Sequence, residues 1–104
     1  MRTATSILMT LPGTPYVYYG EEIGMLGKKP DEQIREPFLW DESGKDLQRT
    51  KWELPKYSSD STVVPMHVQM KDSRSLYNHY RNWMRYRNSD AVLTFGDFKP
   101  VRTN

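Results

Sequence analysis

The sequence predicts an α/β fold of the parallel-sheet kind, on three observations. Residues 3–11 carry helical apolar spacing, a Pro12-Gly13 turn follows at once, and residues 15–19 (PYVYY) form a short apolar and aromatic run without alternation. A run of that kind is expected of a strand buried on both faces, as in parallel sheets. Helix, turn and strand together make the second half of a βαβ unit. The strand's neighbours are expected from outside these 104 residues, because a parallel strand cannot stand alone.

Composition places the chain at one domain or less and reads like a piece of a larger body. Leu, Ile, Val and Phe make up 20 of 104 residues, just under the fifth below which a full core becomes doubtful. Seven Tyr, 6 Met and 3 Trp make up part of the difference, and these side chains suit interfaces as well as cores. Fifteen Lys and Arg against 13 Asp and Glu, a net charge of +2, is not a nucleic-acid footprint. The absence of cysteine excludes a disulfide, a thiolate metal site and a thiol nucleophile. No apolar run approaches the ~20 residues of a membrane span, and Met1 opens inside a helical pattern without a signal-peptide n-region. The compartment is left open.

Taken in order, the first helix places Ala4, Ile7, Leu8 and Leu11 on one face and starts abruptly, as though the element began earlier. Gly20 ends the 15–19 run, and Glu21-Glu22 follow at what is expected to be a sheet edge. Residues 24–40 form a loop punctuated by Gly24, Gly27, Pro30 and Pro37, within which Asp31 to Arg35 can make one helical turn. Residues 41–62 are polar and irregular, a long excursion that Trp40 and Trp52 are expected to dock. Asp72 or Ser73 is expected to cap the strongest helix, residues 74–88, with Leu76, Tyr80, Trp83 and Met84 as its stripe. Residues 91–98 (AVLTFGDF) read as a strand or hairpin interrupted at Gly96.

Each candidate site has a bland alternative. Glu21 and Glu22 invite an acid/base reading, but neighbours in an extended backbone point to opposite faces, so a bracing ion pair and a solvated carboxylate are preferred. Asp31 and Arg35 can grip sugar hydroxyls, the acid accepting and the guanidinium donating as a fork. Their alternative is an i, i+4 pair worth only ~0.2–0.5 kcal/mol. His67 and His79 have no ligand partners at metal spacing, Tyr16, Tyr18 and Tyr19 read as core, and Arg81, Arg85 and Arg87 read as a solvated face.

Three ordered segments carry a resemblance: TLPGTPYVYYGEEIGM (10–25), PDEQIREPFLW (30–40) and VPMHVQMKDSRSLYNHYRNWMRYRNSDAVLTFGDF (64–98). They resemble consecutive parts of α-amylase-type enzymes of glycoside hydrolase family 13, nearest to bacterial α-amylase, neopullulanase and oligo-1,6-glucosidase. The resemblance implies the C-terminal fragment of a (β/α)8 barrel: helix 7, strand 8, a loop over the active site and helix 8. It implies barrel over residues 1–92 and the first strand of a following β-sandwich domain over 93–104.

By the same resemblance Asp31 and Arg35 match a D-x-x-x-R pair that contacts substrate glucose. The family's nucleophile, acid/base and stabilising carboxylates lie on barrel strands four, five and seven, the last in an N-H-D motif that does not occur here. These positions fall upstream of Met1, so no catalytic residue is assigned within the chain. The implied parent is a retaining α-glucosidic hydrolase of starch-like α-glucans or maltooligosaccharides, and the isolated chain is expected to be inactive and to self-associate. No cofactor, metal, nucleic-acid or membrane partner is expected. A non-catalytic glucan-binding or interaction module is the rival reading.

Overall fold

The computed structural model describes residues 1–42 and 44–102. Among them lie four α-helices and two single 3₁₀ turns: α1 (Arg2–Thr10), turns at Glu21–Ile23 and Asp31–Gln33, α2 (Met66–Lys71), α3 (Leu76–Ser89) and α4 (Ala91–Phe95). The radius of gyration is 16.4 Å with extents of 49 × 32 × 25 Å. A compact chain of this length would have a radius near ~13 Å, so the molecule is open and elongated.

α1 ends where the Pro12-Gly13 turn begins, with Gly13 at φ 100°. It runs parallel to α3, because its start meets the start of α3 and its end meets the end. Arg2 Nη1 donates to the Arg74 carbonyl and the His79 ring contacts the Arg2 carbonyl at 3.0 Å. At the other end Arg87 donates to the carbonyls of Met9, at 2.6 Å, and Leu11, at 3.0 Å. The seam between them buries Thr5, Met9 and Tyr80. The expected stripe of α1 faces elsewhere: Ile7 is 53 % exposed and Leu11 43 %.

Residues 15–19, expected as a buried strand, form no ladder, and no strand occurs among the described residues. Tyr16 is 85 % exposed. A parallel strand needs at least one neighbouring strand, and the described residues supply none. Residues 91–95 also depart from expectation, being helical. Asp90 accepts from Val92 N and Leu93 N, and this cap outweighs the β preference of Val92, Thr94 and Phe95. Of the span 93–104, residues 93–95 therefore belong to a helix, residues 96–102 have no regular structure, and residues 103–104 lie outside the described residues.

Two small cores hold the rest. Ile23, Leu39 and Val63 pack together, with Met25, Phe38, Met66 and Tyr77 against them. Beside this cluster a polar knot fixes the α2–α3 corner. Buried Gln69 donates to the carbonyls of Ile23 and Val64 and accepts from Tyr77 N. Asn78 donates to the carbonyls of Gln69, Met70 and Asp72, closing the exposed end of α2. The cap of α3 is Ser75, whose hydroxyl accepts from Asn78 N, and not Asp72 or Ser73. Asp72 instead holds the preceding turn through Arg74 N.

Candidate functional site

Asp31 and Arg35 sit together on an exposed turn. Pro30 opens it, and the amides of Ile34 and Arg35 return to the Asp31 carbonyl at 3.1 Å. Arg35 Nη2 lies 3.4 Å from Asp31 Oδ2, and Lys29 Nζ lies 3.4 Å from Asp31 Oδ1. The side chains of Asp31 and Arg35 are 56 % and 60 % exposed. Ion pairs this open stabilise a fold by only ~0.2–1 kcal/mol. What the turn offers is a carboxylate acceptor beside a guanidinium fork, both facing water, a combination suited to hydroxyl-rich ligands.

The next residue anchors that turn. Glu36 is 1 % exposed, and its carboxylate accepts from three consecutive backbone amides across a long sequence gap. Oε1 takes Lys56 N at 2.7 Å and Tyr57 N at 3.0 Å, while Oε2 takes Ser58 N at 2.8 Å. Ser58 in turn donates to the Leu26 carbonyl at 2.9 Å and accepts Leu26 N at 3.0 Å. Arg49 donates to the carbonyls of Pro37 and Ser58, and Tyr19 OH to the Glu36 carbonyl. Three loop segments are thereby stapled under the Asp31–Arg35 turn. Nothing in the sequence marked Glu36, since its partners are backbone amides that carry no side-chain signature.

Glu21 and Glu22 are brought to different places. They lie on a 3₁₀ turn, where successive side chains diverge by about 120°. Glu21 lines a hollow with Ala4, Leu8, Tyr16 and Tyr80, whereas Glu22 lines one with Val17, Tyr19, Tyr77 and Met84. They cannot flank one bond. Neither makes an ion pair among the described residues, so the expected bracing pair is not found, and Glu22 Oε2 is buried without a hydrogen-bond partner.

The tyrosines are exposed instead of core, Tyr16 most of all, with the Tyr18 and Tyr19 rings 4.8 Å apart. Partial burial, with Tyr18 alongside, raises the Tyr19 phenol above its ordinary value. His79 engages the Arg2 carbonyl and Ser6, and His67 lies 2.9 Å from Lys71 Nζ. Arg87, expected on a solvated face, caps α1. Among the described residues no group of three or more His, Asp or Glu is placed to hold a metal ion, and no helix is long and apolar enough to cross a membrane.

Residues 1–96 match the alpha-amylase catalytic domain family. The chain is 43 % identical over 100 residues to Alpha-amylase 3 of Dictyoglomus thermophilum, covering 96 % of this chain and 20 % of that protein. It is 37 % identical over 96 residues to a 4-alpha-glucanotransferase of Thermotoga maritima, covering 89 % and 22 %. The crystal structure of an alpha-amylase from H. orenii superposes with a TM-score of 0.87 at 42 % identity, over 99 % of this chain and 20 % of that one. The chain thus spans about a fifth of the length of these relatives. With its fold, its ordered segments and nearly its whole length accounted for, the chain belongs to the alpha-amylase catalytic domain family.

Proposed function

We propose that the chain is the C-terminal part of the (β/α)8 catalytic barrel of a retaining α-glucosidic hydrolase. In this reading α1 is the seventh barrel helix, residues 15–19 the eighth strand, residues 24–62 the loop over the site and α3 the eighth helix. Residues 93–104 lead into the domain that follows. The parallel run of α1 and α3 supports it, because successive helices of such a barrel are parallel. The unpaired segment 15–19 and the open apolar face of α1 fit a strand and helix whose neighbours come from other parts of the barrel.

The observation that carries the function is the Asp31–Arg35 turn, exposed and held from beneath by Glu36. In the whole enzyme this pair contacts glucose units of a starch-like α-glucan or maltooligosaccharide. Asp31 accepts from sugar hydroxyls and Arg35 donates to them. Retaining cleavage needs a nucleophile and a general acid facing each other across ~5–5.5 Å. Glu21 and Glu22, separated into two hollows, do not provide them. The chain thus supplies substrate contacts and barrel closure, while the nucleophile and the acid belong to earlier strands.

A reducing-sugar assay of the pure chain on soluble starch and maltooligosaccharides tests this. No release above buffer is expected, and turnover that co-purifies with the chain through successive columns overturns it. The rival, a glucan-binding module complete in itself, would show saturable binding by the pure chain that is lost in Asp31→Ala and Arg35→Ala.

A further inference from the structure

A third hollow, of about 290 Å³, opens on the long loop beside Trp40, lined among others by Asp41, Asp46, Gln48 and His67. Its volume is near the lower limit of ~300–1,000 Å³ usual for small-molecule sites, which suits one or two sugar rings. Its lining combines the Trp40 indole with two carboxylates, an amide, an imidazole and the Lys45 ammonium, which is paired with Glu42 at 2.6 Å. Apolar sugar faces stack on indoles, and sugar hydroxyls need both donors and acceptors around their rims.

The hollow is built in advance of any ligand. Trp40 is pinned on both sides of its backbone: its N–H donates to Asp46 Oδ2 at 3.0 Å, and its carbonyl accepts from His67 N at 2.9 Å. The neighbouring Leu39 carbonyl accepts from Met66 N at 3.0 Å, and the Leu39 side chain is fully buried. Phe38 braces the Trp40 ring, with centroids 4.4 Å apart, yet Trp40 stays 42 % exposed. Asp46 also accepts from Asp41 N, and Asp41 Oδ1 accepts from Glu42 N.

His67 has a defined tautomer. Lys71 Nζ lies 2.9 Å from His67 Nε2, and an ammonium can only donate. Nε2 therefore accepts, and in the neutral ring the proton sits on Nδ1. The other ring nitrogen is then the donor, on a side chain that lines the hollow together with Asp41 and Asp46.

We infer that this hollow is a glucan-binding subsite distinct from the Asp31–Arg35 turn, with Trp40 as its platform and Gln48 and His67 as its polar contacts. The inference rests on the glycosidase reading for its choice of an α-linked glucan, and places a second point of contact for the chain of sugars on the loop.

The experiment is a titration of the ¹⁵N-labelled chain with maltotriose, following the Trp40 indole N–H and the Gln48 side-chain amide. Both signals should shift saturably, and cellotriose should leave them in place. Gln48→Ala and His67→Ala should each weaken the response roughly three- to tenfold, the size of one lost neutral hydrogen bond. Lys99→Ala, exposed and outside both sites, should leave it unchanged. Shifts confined to the 31–35 turn, equal shifts with cellotriose, or no shift overturn the subsite. Failure of the Trp40 and Gln48 signals to respond leaves the glycosidase reading standing, because the reducing-sugar assay tests that reading separately.

Discussion

The carboxylate of Glu36 accepts the backbone N–H of Ser58 at 2.8 Å across 22 residues, with both residues buried. A carboxylate facing three consecutive amides is an anion in a backbone nest, and such charge-assisted bonds are the stronger kind. This one contact joins the exposed turn at 31–35 to the long loop at 41–62.

Replacing Glu36 with Ala should cost about 2–3 kcal/mol, because buried amides lose a charged acceptor. Glu36→Gln should recover part of the loss through its amide oxygen. The urea midpoint of the chain gives the first quantity. Tryptic cleavage after Arg49, Lys51 and Lys56 reports the loop, and should be faster in both variants. Unchanged cleavage would show that the loop does not depend on the nest.

Arg87 does for α1 what Glu36 does for the loop. Its guanidinium spans the carbonyls of Met9, Leu11 and Gly13, satisfying acceptors that a helix end leaves open. Arg87→Lys keeps the charge but not the fork, so it should lose about 1–2 kcal/mol and part of the helical signal at 222 nm. A variant as stable as the parent would return Arg87 to a solvated role.

Much of this was legible in the sequence and some was not, for separable reasons. α1 and α3 follow from 3.6-residue spacing, and the 31–35 turn from its punctuation. The buried face of α1 was misjudged: apolar Ile7 and Leu11 point outward while Thr5 and Met9 fill the seam. Periodicity finds the most apolar face, and here that face does not meet α3. Residues 91–98 read as a strand or hairpin because a five-residue helix is too short to show a period, and the Asp90 cap decides. α2 escaped notice at six residues, although Pro65 before a run of helix formers was a usable signal. Asp31 and Arg35 stand as candidate contacts on their i, i+4 spacing and on the resemblance, whereas Glu36 and the Trp40 hollow depend on partners distant in sequence.

Tyr19 gives the fold a pH dependence of definite sign. Its phenol is raised above 10.0, chiefly by partial burial, so the folded state favours the neutral form. This contribution is constant below pH 10.0 and is lost as the pH rises through the folded value. In Tyr19→Phe the decline in urea midpoint above pH 10.0 should be shallower than in the parent. Parallel declines would remove Tyr19 as the cause.

Exposed apolar surface predicts self-association. Ile7, Leu11, Tyr16 and Val92 are open to water, and residues 15–19 form no ladder within the described residues. Light scattering after gel filtration should show species larger than the 12.3 kDa monomer, growing with concentration. A sharp monomer across the concentration range would contradict this.

Under the proposed function, this chain closes a barrel whose catalytic carboxylates lie earlier in the same polypeptide. Reading the coding sequence immediately upstream of Met1 checks this. An open frame continuous with this one, carrying an Asn-His-Asp motif on the strand before α1, is expected. A stop codon in frame and a start signal at Met1 would contradict it.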